Sequence, residues 1–400
     1  MEPQSTALFI LLMAVFCALL ACVALAKQPA FRVLAASLAF IPAMLFGVAA
    51  VNKYYDYYQT WGAAASDLSG QGLTTAPSMP SGVPPKRLTA ILGQVTGGRA
   101  AAQFGETVRF SIIGRRSHIT RTVYVFLPPQ YFQAAFRNHR FPAIELLNGY
   151  PGQPQDWINV MGITQIYLTL LRDHEAAPAA LVMPDPNGGP RISLQCLNIV
   201  RGPQDATYLA RDVPDYLSQA LRLQPSGRAW GVAGYSEGGY CAANLPLQYP
   251  RRYGYAGVLS GYFRPSRDRL GPSTMIDPFR GNARLRRMNI PLDRVIALPL
   301  TVRIPKFWLG AGSSDRRDMA RAQELQRRLL GRQPDVVLDI EHGAHTMATW
   351  RALTPALLEW MTPRLAQAAL HPPPPNVTGQ ARPGAAAHAR PAATVPAAAP

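Results

Sequence analysis

The stretch Gly234-Tyr235-Ser236-Glu237-Gly238-Gly239 has the spacing Gly-x-Ser-x-Gly, with an apolar run before it, Arg228 to Ala233, and a helix-compatible segment after it, Tyr240 to Tyr249. Strand, sharp turn and helix in that order leave little freedom. The central serine takes a strained backbone conformation, and the small flanking residues let strand and helix approach closely. Such an elbow lifts a hydroxyl out of a sheet and aims a helix N-terminus at it.

The chain on either side supplies the sheet. Thr107 to Ile113 alternates as a half-buried strand, and Arg121 to Leu127 is a second, ended by Pro128-Pro129. Two adjacent strands predict an antiparallel start. Strands and helices then alternate. Phe141 to Leu147 is a strand running into Asn148-Gly149-Tyr150-Pro151, and Trp157 to Arg172 a helix. Ala180 to Met183 is a strand, Asp205 to Leu223 a helix, and the elbow follows. Tyr255 to Ser260 and Lys306 to Ala311 are strands, separated by an irregular stretch from Arg264 to Ile304. Asp318 to Leu330 is an amphipathic helix, Val336 to Ile340 the last strand, and Thr346 to Met361 the last helix. This rhythm calls for an α/β fold, a mainly parallel sheet with antiparallel N-terminal strands and helices on both faces.

Upstream, Ala7 to Ala26 and Val33 to Val51 contain no charged residue. Each is long enough to cross a hydrocarbon core of about 30 Å. Lys27 and Arg32 lie between them, so the positive-inside rule puts that short loop in the cytoplasm and both flanks outside. The cluster Tyr54 to Trp61 reads as an aromatic belt at the membrane surface. A cleaved signal peptide lacks its basic start here, and a lipoprotein signal ending at Cys22 conflicts with the second span. All three readings export the globular part. The expected divisions are 1–61 for the spans and aromatic segment, 62–94 for a Gly/Ser/Pro-rich linker, 95–368 for the catalytic domain and 369–400 for a disordered Pro/Ala-rich tail.

Lys plus Arg total 40 against 23 acids, a net charge of +17, and only four of the bases are lysines. The arginines are spread along the chain, and no nucleic-acid motif accompanies them. An anionic cell-envelope polymer is a candidate partner; a compositional bias accounts for the charge equally simply. Of four cysteines, Cys196 and Cys241 lie in the globular part. They could form one disulfide in an exported domain or remain two buried thiols. No cysteine or histidine cluster has metal-ligand spacing, and no cofactor is implied.

A serine nucleophile needs a base to take its proton and an acid to orient that base. In sheets of this kind they follow in chain order: Ser, Asp or Glu, His. Of seven histidines, His342 and His345 fall directly after the last strand, with His345 nearer the helix start. Asp315 follows the strand before that, with Asp318 as runner-up. Asp315 would serve equally as an ordinary helix cap. Two backbone N–H groups must hold the oxyanion. Glu237 supplies one and Tyr150 the other, Pro151 having no N–H.

Leu146-Leu147-Asn148-Gly149 with Trp157 downstream, the elbow, and Gly343-Ala344-His345-Thr346-Met347-Ala348-Thr349-Trp350 together resemble the esterase family of α/β-hydrolases that includes esterase D, feruloyl esterases and mycobacterial mycolyltransferases. The last motif resembles the mycolyltransferases' Gly-Gly-His-Thr-Trp-x-x-Trp. The resemblance spans roughly Gly105 to Arg364. It implies an α/β-hydrolase with Ser236 as nucleophile, His345 as base, Asp315 as acid, and the Tyr150 and Glu237 N–H groups as oxyanion hole. The two spans and the Cys196/Cys241 pair resemble actinobacterial membrane-anchored members, in which a disulfide would brace the active-site rim. Pro151 stands where mycolyltransferases carry a sugar-binding Arg, and Asp315 where they carry Glu.

The reading that results is a membrane-anchored extracytoplasmic serine esterase acting on an ester or acyl-lipid substrate. The alternatives are an acyltransferase that passes the acyl group to an alcohol or sugar, and a non-catalytic envelope-binding protein. Met commonly fills the Glu237 position in the family, and a carboxylate beside a forming oxyanion helps nothing. Glu237 is therefore expected to point into solvent or towards an arginine, and its replacement by Met to preserve or raise activity.

Overall fold

The computed structural model describes residues 1–69, 99–190, 192–265 and 277–371. Most of the expected linker, the whole tail after 371, and residues 266–276 of the irregular stretch lie outside these.

Two long helices open the chain, α1 (Thr6–Leu25) and α2 (Pro29–Tyr55). The Ser5 hydroxyl caps α1 by accepting from the Leu8 N–H, and Pro29 stands at the first turn of α2, where its missing N–H costs nothing. α2 buries only Ala35, Ala39, Pro42 and Ala49. Small residues at that spacing let the two helices meet closely, and Phe9 meets Phe46 edge-on across the pair. Large side chains such as Phe40, Met44 and Val48 are exposed, as suits an apolar surround.

The globular part is one eight-stranded sheet in the order β1-β2-β4-β3-β5-β6-β7-β8. Its strands are β1 (Glu106–Ile113), β2 (Thr120–Leu127), β3 (Ala143–Leu147), β4 (Ala180–Pro184), β5 (Gly227–Tyr235), β6 (Tyr253–Leu259), β7 (Lys306–Gly312) and β8 (Val336–Glu341). β1 pairs antiparallel with β2, and β2 antiparallel with β4; all other pairs are parallel. The expected fold class is therefore the observed one.

Side chains alternate between two buried layers. Val123, Val125 and Leu127 face one layer with Trp230, Val232 and Phe307, under the helices Glu237–Gln248 and Arg316–Leu330. Tyr124, Phe126, Ile144, Leu146 and Tyr235 face the other, under Ile163–Arg172 and Met347–Leu370. Glu145 lies inside this apolar sheet, fully buried. Burial pushes its carboxyl up to about 8, while a bond from the Tyr253 hydroxyl at 2.7 Å pulls the other way.

Several helices differ from expectation. Trp157 to Arg172 is two helices, Asp156–Asn159 and Ile163–Arg172, because Gly162 at φ 65° breaks the run. The segment from Asp205 ends at Ala220 and contains a π turn, Tyr208–Asp212. The last helix runs to Leu370, past Pro363 and past the expected domain end at 368. Two short helices, Ala283–Met288 and Pro291–Ala297, occupy the irregular stretch. The aromatic cluster divides. Tyr54, Tyr55 and Trp61 are exposed, whereas Tyr57 and Tyr58 pack on the second layer, because Asp56 turns the chain back at φ 51°.

Candidate active site

Ser236 sits between β5 and the helix Glu237–Gln248 with φ 55° and ψ −116°. Its N–H donates to the Leu259 carbonyl at 2.9 Å, and its own carbonyl accepts from the Tyr240 N–H at 3.1 Å. The strain is held by two glycines. A Cβ on Gly234 would lie 2.2 Å from the Gly238 carbonyl oxygen, and one on Gly238 would lie 2.0 Å from that of Leu147. Only residues without a side chain permit this approach of strand, helix and β3.

Histidine and aspartate arrive on the next loops. The Ser313 N–H donates to the Glu341 carbonyl at 2.7 Å, and the Ser314 N–H to that of Gly343 at 2.8 Å, which ties the loop after β7 to the loop after β8. Across that junction His345 Nδ1 is 2.8 Å from Asp315 Oδ2, and His345 Nε2 is 3.0 Å from Ser236 Oγ. Asp315 performs both tasks considered for it, since its other oxygen accepts from the Asp318 N–H at 3.4 Å and caps the helix Arg316–Leu330. Asp318, the runner-up, also reaches Nδ1, at 3.3 Å. The imidazole meets the Trp350 ring edge-on at 4.9 Å, and Trp350 stacks on Tyr235 at 4.8 Å. His342 is exposed and outside this group.

Burial disfavours a charged imidazole, but the bonds and charges of Asp315 and Asp318 outweigh it and raise His345 to about 9. Asp315, Asp318 and His345 are the only set of three or more His, Cys, Asp or Glu residues among the described residues with ligand atoms all within 4.8 Å of one another. Nδ1 is already engaged by both carboxylates, so the group is built as an ion-paired cluster instead of an open coordination shell.

The expected oxyanion donors flank the serine. The N–H of Glu237 is the first of its helix, a position with no partner inside the helix. On the other side, a Cβ on Gly149 would lie 3.2 Å from Ser236 Cβ, which places the Gly149–Tyr150 peptide against Ser236.

The Glu237 side chain contradicts expectation. It points neither to solvent nor to an arginine, and the residue is 4% exposed. Its carboxylate accepts from Asn187 Nδ2 at 2.8 Å and from Ser193 Oγ at 2.5 Å, with the Tyr262 hydroxyl at 3.5 Å. Burial raises it to about 7, against the opposing pull of these donors. The helix turns its first residue into the protein, under the loop after β4. Four residues on, Cys241 bonds the same loop at Cys196, with Cα atoms 5.7 Å apart. Cys17 and Cys22 are free and exposed on α1.

A mainly parallel sheet with a strained serine at the elbow and an imidazole beside it defines an α/β-hydrolase. The chain belongs to the esterase family: the family described as Putative esterase matches residues 116–361. It is 24% identical over 356 residues to an uncharacterized protein of Corynebacterium glutamicum, covering 83% of this chain and 76% of that one. A 60-residue stretch is 43% identical to the MPT51 antigen of Mycobacterium leprae, covering 15% of this chain and 19% of the antigen. Among solved structures, a ferulic acid esterase superposes with a TM-score of 0.56 at 16% identity, over 65% of this chain and 98% of that one. An S-formylglutathione hydrolase from Agrobacterium tumefaciens follows at 0.53 and 17%, over 66% and 96%. FphF, a fluorophosphonate-binding serine hydrolase of Staphylococcus aureus, gives 0.52 and 18%, over 64% and 98%. At these identities the structural likenesses establish the fold. Family membership makes the protein a hydrolase or acyltransferase with ester substrates.

Proposed function

We propose that this protein is a membrane-anchored, extracytoplasmic serine esterase that cleaves carboxylic esters through an acyl-enzyme. The observation that carries the reading is the unbroken chain from Ser236 Oγ through His345, at 3.0 Å and 2.8 Å, to Asp315. His345 Nε2 takes the hydroxyl proton as Oγ bonds to the ester carbonyl carbon. The N–H groups of Glu237 and Tyr150 hold the negative oxygen, and Asp315 stabilises the imidazolium. Collapse expels the alcohol, which leaves with the proton from His345. Water then enters by the same route and releases the acid. An alcohol or sugar acceptor in place of water gives acyl transfer.

α1 and α2 form the anchor, with residues 62–94 as linker, 95–368 as catalytic domain and 369–400 as tail. A second property is proposed from a groove of about 1010 Å³ at the starts of β5 and β6, the strand ends opposite Ser236. Arg228, Arg251, Arg303 and Arg364 line it, with no Asp or Glu among the lining residues. Such a groove suits an anionic envelope polymer. Salt-insensitive retention on anionic wall material would count against it.

The catalytic reading is tested with simple esters of graded acyl length, with and without an alcohol acceptor. Turnover should vanish in Ser236→Ala. Retained turnover in that variant would remove the serine from the mechanism, and acyl-acceptor products would move the assignment to acyltransferase.

A further inference from the structure

α2 does not lead into a free tether. Asp56 ends it in the left-handed region, and the next residues lie down on the catalytic domain. Arg351, on the helix that follows His345, grips them. It donates to the Asp56 carboxylate and carbonyl and to the Tyr57 carbonyl at 3.3 Å, and its Nε donates to the Val160 carbonyl at 2.9 Å. Asn52 brackets Tyr58, accepting its N–H at 2.8 Å and donating to its carbonyl at 2.9 Å, while Gln4 ahead of α1 donates to the same carbonyl at 3.1 Å. The end of α2 and the segment ahead of α1 therefore hold this short strap in place.

The Tyr57 hydroxyl donates to Asp156 Oδ2 at 2.8 Å. Asp156 is fully buried, and the same oxygen accepts from the Gln153 N–H at 2.9 Å. A Cβ on Gly152 would lie 2.8 Å from that oxygen and 2.8 Å from the Gly149 carbonyl. The carboxylate is thus wedged under the turn that presents the Gly149–Tyr150 peptide to Ser236. On the other side, Arg351 follows Trp350, the ring against both His345 and Tyr235. The strap bears on both halves of the site.

We propose that Tyr57 is a positioning residue for the reaction: through Asp156 it sets the oxyanion loop, so that the end of the second apolar helix tunes turnover. This rests on the assignment of the Tyr150 N–H as an oxyanion donor. Without the hydroxyl, a buried carboxylate loses a donor and turns towards those that remain, carrying the loop with it. The effect belongs in the transition state, where the oxyanion forms, and not in ground-state binding.

The test uses the full-length protein in detergent micelles, comparing Tyr57→Phe with wild type per titrated active site. Misplacement of a catalytic group by ~1 Å can cost ~100-fold, and a loosened loop is expected to lower kcat about tenfold. KM should stay within about twofold, and phosphonylation by a fluorophosphonate should slow in parallel with kcat. Unchanged kcat per active site, with or without a lowered melting temperature, would overturn the proposal, because a merely structural role moves only the folded fraction. If Tyr57→Phe does not fold, Asp156→Asn is read by the same criterion. Ser236→Ala separates the two claims. If it is dead while Tyr57→Phe turns over like wild type, only this proposal fails; if Ser236→Ala turns over, the site assignment itself fails.

Discussion

At the scale of single residues, two carboxylates compete for one imidazole proton. With His345 raised to about 9, the proposed base is mostly protonated at neutral pH and gains competence as pH rises. kcat/KM should therefore climb towards a midpoint near 9. Asp318→Asn removes one of the two charges, so the limb should move to lower pH; an unmoved midpoint would mean that Asp318 does not bear on the base. The same shift has a stability sign. The value lies above the ordinary 6.5, so the interaction supports the fold fully below 6.5 and is lost as pH rises through about 9. Glu237 has a consequence of the same sign, in a lower pH window. Its carboxyl rises from 4.5 to about 7, so stability falls as pH rises across that interval. In Glu237→Gln the melting temperature relative to wild type should improve from pH 4.5 to 7, and a flat difference would contradict the shift. Glu237→Met, expected from sequence to be benign, should instead destabilise by more than about 2 kcal/mol, because buried donors lose their acceptor. The contacts among Ser236, His345 and Asp315 were legible because each residue ends a recognisable strand. The surroundings of Glu237 were not, because Asn187 and Ser193 come from a loop whose path no local pattern specifies.

At the scale of elements, strands were read well and helix ends poorly. A strand buried on both faces is a short apolar run bounded by turn residues, and its limits are sharp. Helices end where one residue's backbone decides, as at Gly162, or continue where packing overrides Pro363. The loop after β4 carries the clearest element-scale consequence. Glu237 and Cys241 share one face of the elbow helix, and both hold this loop. The disulfide closes a sequence separation of 45, for which loop-closure entropy gives about 4 kcal/mol. Cys196→Ser with Cys241→Ser should lower unfolding stability by roughly that amount in denaturant titration. A change under ~1 kcal/mol would mean that the carboxylate contacts alone fix the loop.

At the scale of the molecule, the apolar helices and the catalytic sheet are joined by a docked strap. Sequence suggested an aromatic belt from Tyr54 to Trp61. The belt's composition could not reveal that Tyr57 and Tyr58 turn inward, since the partners Asp156 and Arg351 lie far along the chain. If the loop between α1 and α2 faces the cytoplasm, a reporter active only in the cytoplasm should be silent when fused after Trp61. Reporter activity there would reverse the topology. The central claim, that Ser236 is the nucleophile of an esterase anchored beside its own active site, is tested most directly by fluorophosphonate labelling of the full-length protein, read by intact mass and peptide mapping. One adduct is expected, on the peptide containing Ser236, absent in Ser236→Ala and slowed in His345→Ala. No adduct on wild type, or an undiminished adduct in Ser236→Ala, would contradict it.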